Sequence, residues 1–168
     1  MAYRQPPKFG ALGFELSTEL QVTKVGAGVK CAEQQAGKTI GELEIAPFPA
    51  ALIIDRDGVL EMKVREVAGE TGRVRSANPI ALPGATGYRA EVVLDRGAAL
   101  PYVYVFAMAP EEGGLEGGVL VIVRSASPEW PAADAMLQSI RIVTRRGVVH
   151  ANDGDVLALP VVGKPRDN

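Results

Sequence analysis

Residues 101–108 read Pro-Tyr-Val-Tyr-Val-Phe-Ala-Met, and residues 119–123 read Val-Leu-Val-Ile-Val. Between them runs Glu111-Glu112-Gly113-Gly114-Leu115-Glu116-Gly117-Gly118, acidic and rich in glycine. Successive side chains of a strand point to opposite faces. Tyr102, Tyr104, Phe106 and Met108 therefore share one face, and Pro101, Val103, Val105 and Ala107 the other. Both faces are apolar, as in a strand covered on two sides. The stretch is read as two central strands joined by a hairpin. Large side chains on one face and small ones on the other predict a second layer resting on the small face.

Outward from this pair, period two persists. Tyr88, Ala90, Val92 and Leu94 alternate with Arg89, Glu91, Val93 and Asp95, the pattern of a half-buried strand. Leu60, Met62 and Val64 alternate with Glu61, Lys63 and Arg65, so a strand is expected over Val59–Val67. Two Asp-Gly pairs suit tight hairpin turns. Asp57-Gly58 separates Ala51–Asp55 from Val59–Val67, and Asp153-Gly154 separates Val148–Ala151 from Val156–Val162. A helix is predicted over Pro131–Ser139, with Pro near its start and Ala133, Met136, Leu137 and Ile140 as its apolar stripe. Trp130 is expected to anchor that helix to the sheet. A second short helix is expected over Val29–Ala36, ended by Gly37. Together these give a single α+β domain over 1–168: a central antiparallel sheet of about six to eight strands with one or two short helices packed on it. An all-β barrel or sandwich with one added helix is the rival.

Composition narrows the function. The chain has 168 residues, 18 basic and 20 acidic side chains, a formal net charge of −2, one His and one Cys. One His and one Cys do not make a Cys/His zinc site, and a lone Cys forms no intrachain disulfide. Charge is spread evenly, without the basic stripe that phosphate-backbone binding needs, so no nucleic-acid partner is expected. No apolar run approaches membrane-spanning length, and no membrane span is expected. The N-terminus Met1-Ala-Tyr-Arg-Gln-Pro-Pro-Lys has no apolar run behind its Arg. Cytoplasmic location is the default reading, although a removed export segment would leave no trace.

Several short motifs bear on chemistry. Ala51-Leu-Ile-Ile-Asp55-Arg-Asp57-Gly-Val-Leu60 resembles the first motif of the haloacid-dehalogenase-like phosphatases. That resemblance implies Asp55 as nucleophile and Asp57 as acid/base at a magnesium site, and it requires a parallel sheet with a helix after the loop. The competing reading is a polar hairpin turn. Val25-Gly26-Ala-Gly28-Val-Lys-Cys31 is similar to part of a dinucleotide fingerprint, with Glu42 or Glu44 as the ribose acid, but Cys31 stands where the third glycine belongs. Asn152-Asp153-Gly154-Asp155 offers oxygen ligands without the calcium-loop spacing. Any catalytic triad would have to use His150, and no G-x-S-x-G elbow accompanies it. A small apolar ligand carrier is a further alternative, its binding residues being Tyr102, Tyr104, Phe106 and Trp130.

The second half carries a longer pattern. It runs Leu82-Pro-Gly84-Ala-Thr-Gly87-Tyr88 into a strand, then Pro101–Met108, then the glycine-rich hairpin. Gly118-Val-Leu-Val-Ile-Val-Arg-Ser-Ala-Ser127-Pro-Glu-Trp130 follows, and then a short helix entering Ser139-Ile-Arg-Ile-Val143. Over residues 82–143 this resembles the PsbP-like sandwich family. That fold includes a photosystem II oxygen-evolving accessory subunit, a Ran-binding import factor, and small bacterial lipoproteins and secretion accessory proteins. The usual aromatic strand start of its N-terminal half is missing here. The resemblance implies an antiparallel sheet with packed helices and a role in binding a protein, with no shared catalytic site. The expectation is a non-catalytic accessory protein with no cofactor, bound to a protein partner or to copies of itself.

Overall fold

The computed structural model describes residues 2–5, 12–17, 21–25, 28–48, 62, 65–66, 69, 72–82, 85–95, 97–110, 118–138, 141–144 and 147–150. Eleven strands and one helix lie among them. They are β1 (Ala2–Gln5), β2 (Leu12–Ser17), β3 (Gln21–Val25), β4 (Gly28–Gln35), β5 (Lys38–Phe48), β6 (Arg73–Leu82), β7 (Ala85–Val93), β8 (Tyr102–Pro110), β9 (Gly118–Ser125), α1 (Pro131–Gln138), β10 (Arg141–Thr144) and β11 (Gly147–His150).

The main sheet has seven strands in the order β3-β4-β5-β9-β8-β7-β6. It consists of two meanders, β3–β5 and β6–β9, joined where β5 pairs with β9. Every pairing in it is antiparallel. The central antiparallel sheet expected from the sequence is thus present, and the predicted hairpin pair, β8 and β9, lies inside it. A second, four-stranded sheet runs β1-β2-β10-β11.

Both faces of the central strands are buried. Val103, Val105 and Ala107 lie inside on one face, and Tyr104 and Phe106 on the other. Ala90, Val92 and Ile122 extend the first face. Across β4, β5 and β9 the opposite face continues as Val29, Cys31, Leu43, Ile45, Val121 and Val123. Removing each of the Val, Leu, Ile and Phe side chains from water contributes roughly 1.5–3 kcal/mol.

The helix rests on that second face. The Trp130 carbonyl accepts the Ala133 N–H at 3.1 Å and the Asp134 N–H at 3.4 Å, which makes Trp130 the N-cap. Pro131 then occupies the first helical position, where its missing N–H costs nothing. Ala133, Met136 and Leu137 are buried, at the i, i+3, i+4 spacing of one helical stripe.

Three expectations are corrected. Val29–Ala36 is not a helix: residues 28–35 form β4, and Ala36-Gly37 makes a two-residue turn into β5. The apolar positions Val29 and Cys31 alternate with Lys30 and Ala32, and flanking strands satisfy the backbone on both sides. The strand expected over Val59–Val67 is also overturned at the residues described within it. Met62, Arg65 and Glu66 are helical, and the Gly69 N–H closes on the Arg65 carbonyl at 3.0 Å. Gly69, at φ +65°, supplies the left-handed C-terminal cap. Leu60, Val64 and Val67 are also spaced i, i+4, i+7, so the sequence fits both periods. Finally, α1 packs on the face of Tyr104 and Phe106, not on the small face. The reason lies two and three strands away, where that same face carries Gly41 on β5 and Cys31 on β4 and leaves room for it.

Candidate functional site

Asp55, Asp57 and the loop from Asn152 to Asp155 lie outside the described residues. The phosphatase resemblance nevertheless meets a finding against it, because it requires a parallel sheet and all seven strands are antiparallel. The dinucleotide-like stretch also loses its structural basis. β3 and β4 are antiparallel neighbours joined through two residues, with no helix N-terminus to receive a pyrophosphate. His150 lies at the end of β11, paired with Arg141, and its side chain is outside the described part.

Cys31 is buried among apolar side chains. Its thiol donates to the Met136 thioether, with the sulfurs 3.4 Å apart. Burial pushes the thiol up from its ordinary 9.0 to about 11, opposed only in part by backbone hydrogen bonds at Leu43 and Cys31. A thiol held protonated at neutral pH is a poor nucleophile. Among the described residues no three His, Cys, Asp or Glu side chains converge as a metal site.

The four aromatics are brought to one face, but three are enclosed. Phe106 and Tyr104 lie in the core, and Trp130 is only 3% exposed. Tyr102 is half-buried. Trp130 serves as the anchor expected of it: its ring lies over Gly41, and its indole N–H donates to a Glu33 carboxylate oxygen across β4. The loop before it is pinned by two short hydrogen bonds. Ser125 Oγ donates to the Ser127 carbonyl and Ser127 Oγ to the Glu129 carbonyl, both at 2.6 Å.

A polar arrangement that the sequence reading did not single out lies at the far end of the same face. Glu91 on β7 is 8% exposed, although its period-two position resembles that of a solvent-facing charge. Ser76 Oγ and Tyr104 OH each donate to its carboxylate at 3.5 Å, the long end of hydrogen bonding. Arg75 approaches it to 3.8 Å while its own side chain stays 60% exposed. Beside this group, Arg73, Val74 and Arg75 form a consecutive exposed run on β6, the last strand of the sheet. A bulge between Val74 and Ser76 takes Arg75 out of the regular alternation. Val74 is 44% exposed, and with Met62 it is one of two large apolar side chains in the open among the described residues. The signal available in sequence was the Arg-Val-Arg triplet itself, which period alone does not assign to an edge.

On the opposite face, β4, β5 and β9 carry two half-buried ion pairs. Lys30 meets Glu42 at 3.2 Å, and Arg124 meets Glu44 at 3.5 Å. They neutralise one another, leaving no net charge for a ligand to read.

Comparison with known proteins yields a fold likeness. No protein-family model matches the chain. No curated protein matches it. Among solved structures, the Ran-binding protein Mog1p of Saccharomyces cerevisiae superposes with a TM-score of 0.51 at 9% identity, over 87% of this chain and 97% of that one. A point mutant of Mog1 gives a TM-score of 0.50 at 10% identity, over 87% and 98%. At such identities the superpositions show a shared fold alone.

Proposed function

We propose that the chain is a non-catalytic accessory protein that works by binding a protein partner. The observation that carries this reading is the extent of the Mog1p likeness, which takes in nearly the whole of a Ran-binding protein as well as most of this chain. The PsbP-like pattern of residues 82–143 supports the same reading, because that family also binds proteins without a common catalytic site. The chemistry of the described residues adds support. The only thiol is buried and protonated, and the buried carboxylate of Glu91 is engaged by Ser76, Tyr104 and Arg75. Of the four aromatics named for a carrier pocket, Tyr104, Phe106 and Trp130 pack into the core and Tyr102 is half-buried.

Purification from its own cells tests this. A stoichiometric heterologous protein in the native mass of the purified complex is expected. Ran, or its nearest counterpart, is the first purified candidate to try, since Mog1p binds Ran. A strictly monomeric chain that retains no protein would overturn the reading.

A further inference from the structure

We infer that the outer end of β6 binds an acidic segment of a protein partner, with Arg73 and Arg75, which share the face that carries Glu91, receiving its carboxylates. This rests on the protein-binding reading and specifies where and by what chemistry the partner is held. Three features of the strand carry it. Arg73 and Arg75 are both exposed at the edge of the sheet, on the face that carries Glu91, and arginine is enriched at interface hot spots. Glu91 lies 3.8 Å from one nitrogen of Arg75 and orients the guanidinium, yet the side chain remains 60% exposed. A guanidinium has five donors in a planar fork, so Arg75 keeps donors directed at solvent.

Charge selects the occupant. Two copies of β6 pairing antiparallel about Val74 would set Arg73 opposite Arg75 of the copy, and the reverse. Like charges directly opposite each other destabilise such a pair. The bulge between Val74 and Ser76 interrupts the ladder at the same place. A second copy is therefore disfavoured where an acidic chain is favoured. A nucleic acid would meet a chain of net charge −2 with no basic stripe.

The test uses the full chain and a fluorescein-labelled peptide of about ten residues, Asp and Glu throughout, followed by anisotropy at low salt. Charge-assisted hydrogen bonds are each worth enough that Arg73→Glu with Arg75→Glu is expected to weaken binding at least about tenfold. Arg73→Lys with Arg75→Lys should retain most of the affinity, and Val74→Ser, on the other face of the sheet, should leave it unchanged. Arg73→Glu alone leaves the Arg75–Glu91 pair intact and guards against a folding effect, which the emission of Trp130 monitors. The inference is overturned by a wild type that does not bind the peptide, by equal affinity in the charge-reversed chain, or by tighter binding of a single-stranded oligonucleotide. A native partner captured equally by wild type and charge-reversed chain would overturn this surface and leave partner binding standing. Failure of both to hold any protein would overturn the two together.

Discussion

Gly41 lies directly beneath the ring of Trp130. A methyl group at Gly41 would lie 2.4 Å from two ring carbons of Trp130, closer than van der Waals contact permits. Gly41→Ala should therefore push the indole off β5 and break its bond to Glu33, at a cost of about 1–3 kcal/mol. Trp130 is the only tryptophan, so a red shift of its emission and a lower urea midpoint would report the change directly. Ala36 presents the opposite case. Its φ of 52° is a left-handed conformation that alanine disfavours, in a two-residue turn where both positions require it. Ala36→Asn should raise stability by about 0.5–1 kcal/mol, read as a higher midpoint with unchanged slope. Cys31 gives a pH dependence. Its folded pKa of about 11 exceeds the ordinary 9.0, so the unfolded chain ionises first as pH rises. Stability is intact below pH 9 and falls by about 1.4 kcal/mol per pH unit until about pH 11. The stability difference between wild type and Cys31→Ala should narrow over that window, and a difference independent of pH would contradict the assignment.

At the scale of elements, β6 and α1 show opposite relations between sequence and structure. The helix was legible because three signals agree: Pro131 at the first position, an apolar stripe, and Trp130 before it. β6 was not legible. Arg73, Arg75, Asn78 and Pro79 interrupt any alternation, because an edge strand covered on one side only is free to carry them. The same residues keep the edge from pairing with other chains. Pro79→Val should restore a donor and raise self-association, measured as a concentration-dependent sedimentation coefficient. Met62, Arg65 and Glu66 show a third relation, in which two periods fit one stretch and a left-handed glycine at Gly69 decides for the helical turn. Glu91 is the corresponding case at the candidate site. Alternation marks it as wet, and tertiary neighbours that include Ser76, Tyr104 and Arg75 make its burial tolerable.

For the whole molecule, the decisive contact is between β5 and β9, which brings residues 41–48 against 118–125. Each meander can form its own hairpins locally, but the core closes only when these distant strands meet. Amide exchange should accordingly be slowest in β5, β9 and β8, at a common rate set by global unfolding, and faster in the edge strands β3 and β6. Exchange as slow at β3 as at β9 would contradict this. By itself the sequence determined the antiparallel character of the sheet, the central hairpin of β8 and β9, and the α1 helix. Each follows from local side-chain period and turn chemistry, which act over a few residues. Only the tertiary structure decided which face receives the helix, that residues 28–35 are a strand, and that Arg73, Val74 and Arg75 stand together at an open edge. Those outcomes depend on which strands become neighbours, and pairing across some seventy residues of chain is set by the fit of whole surfaces, not by any local pattern.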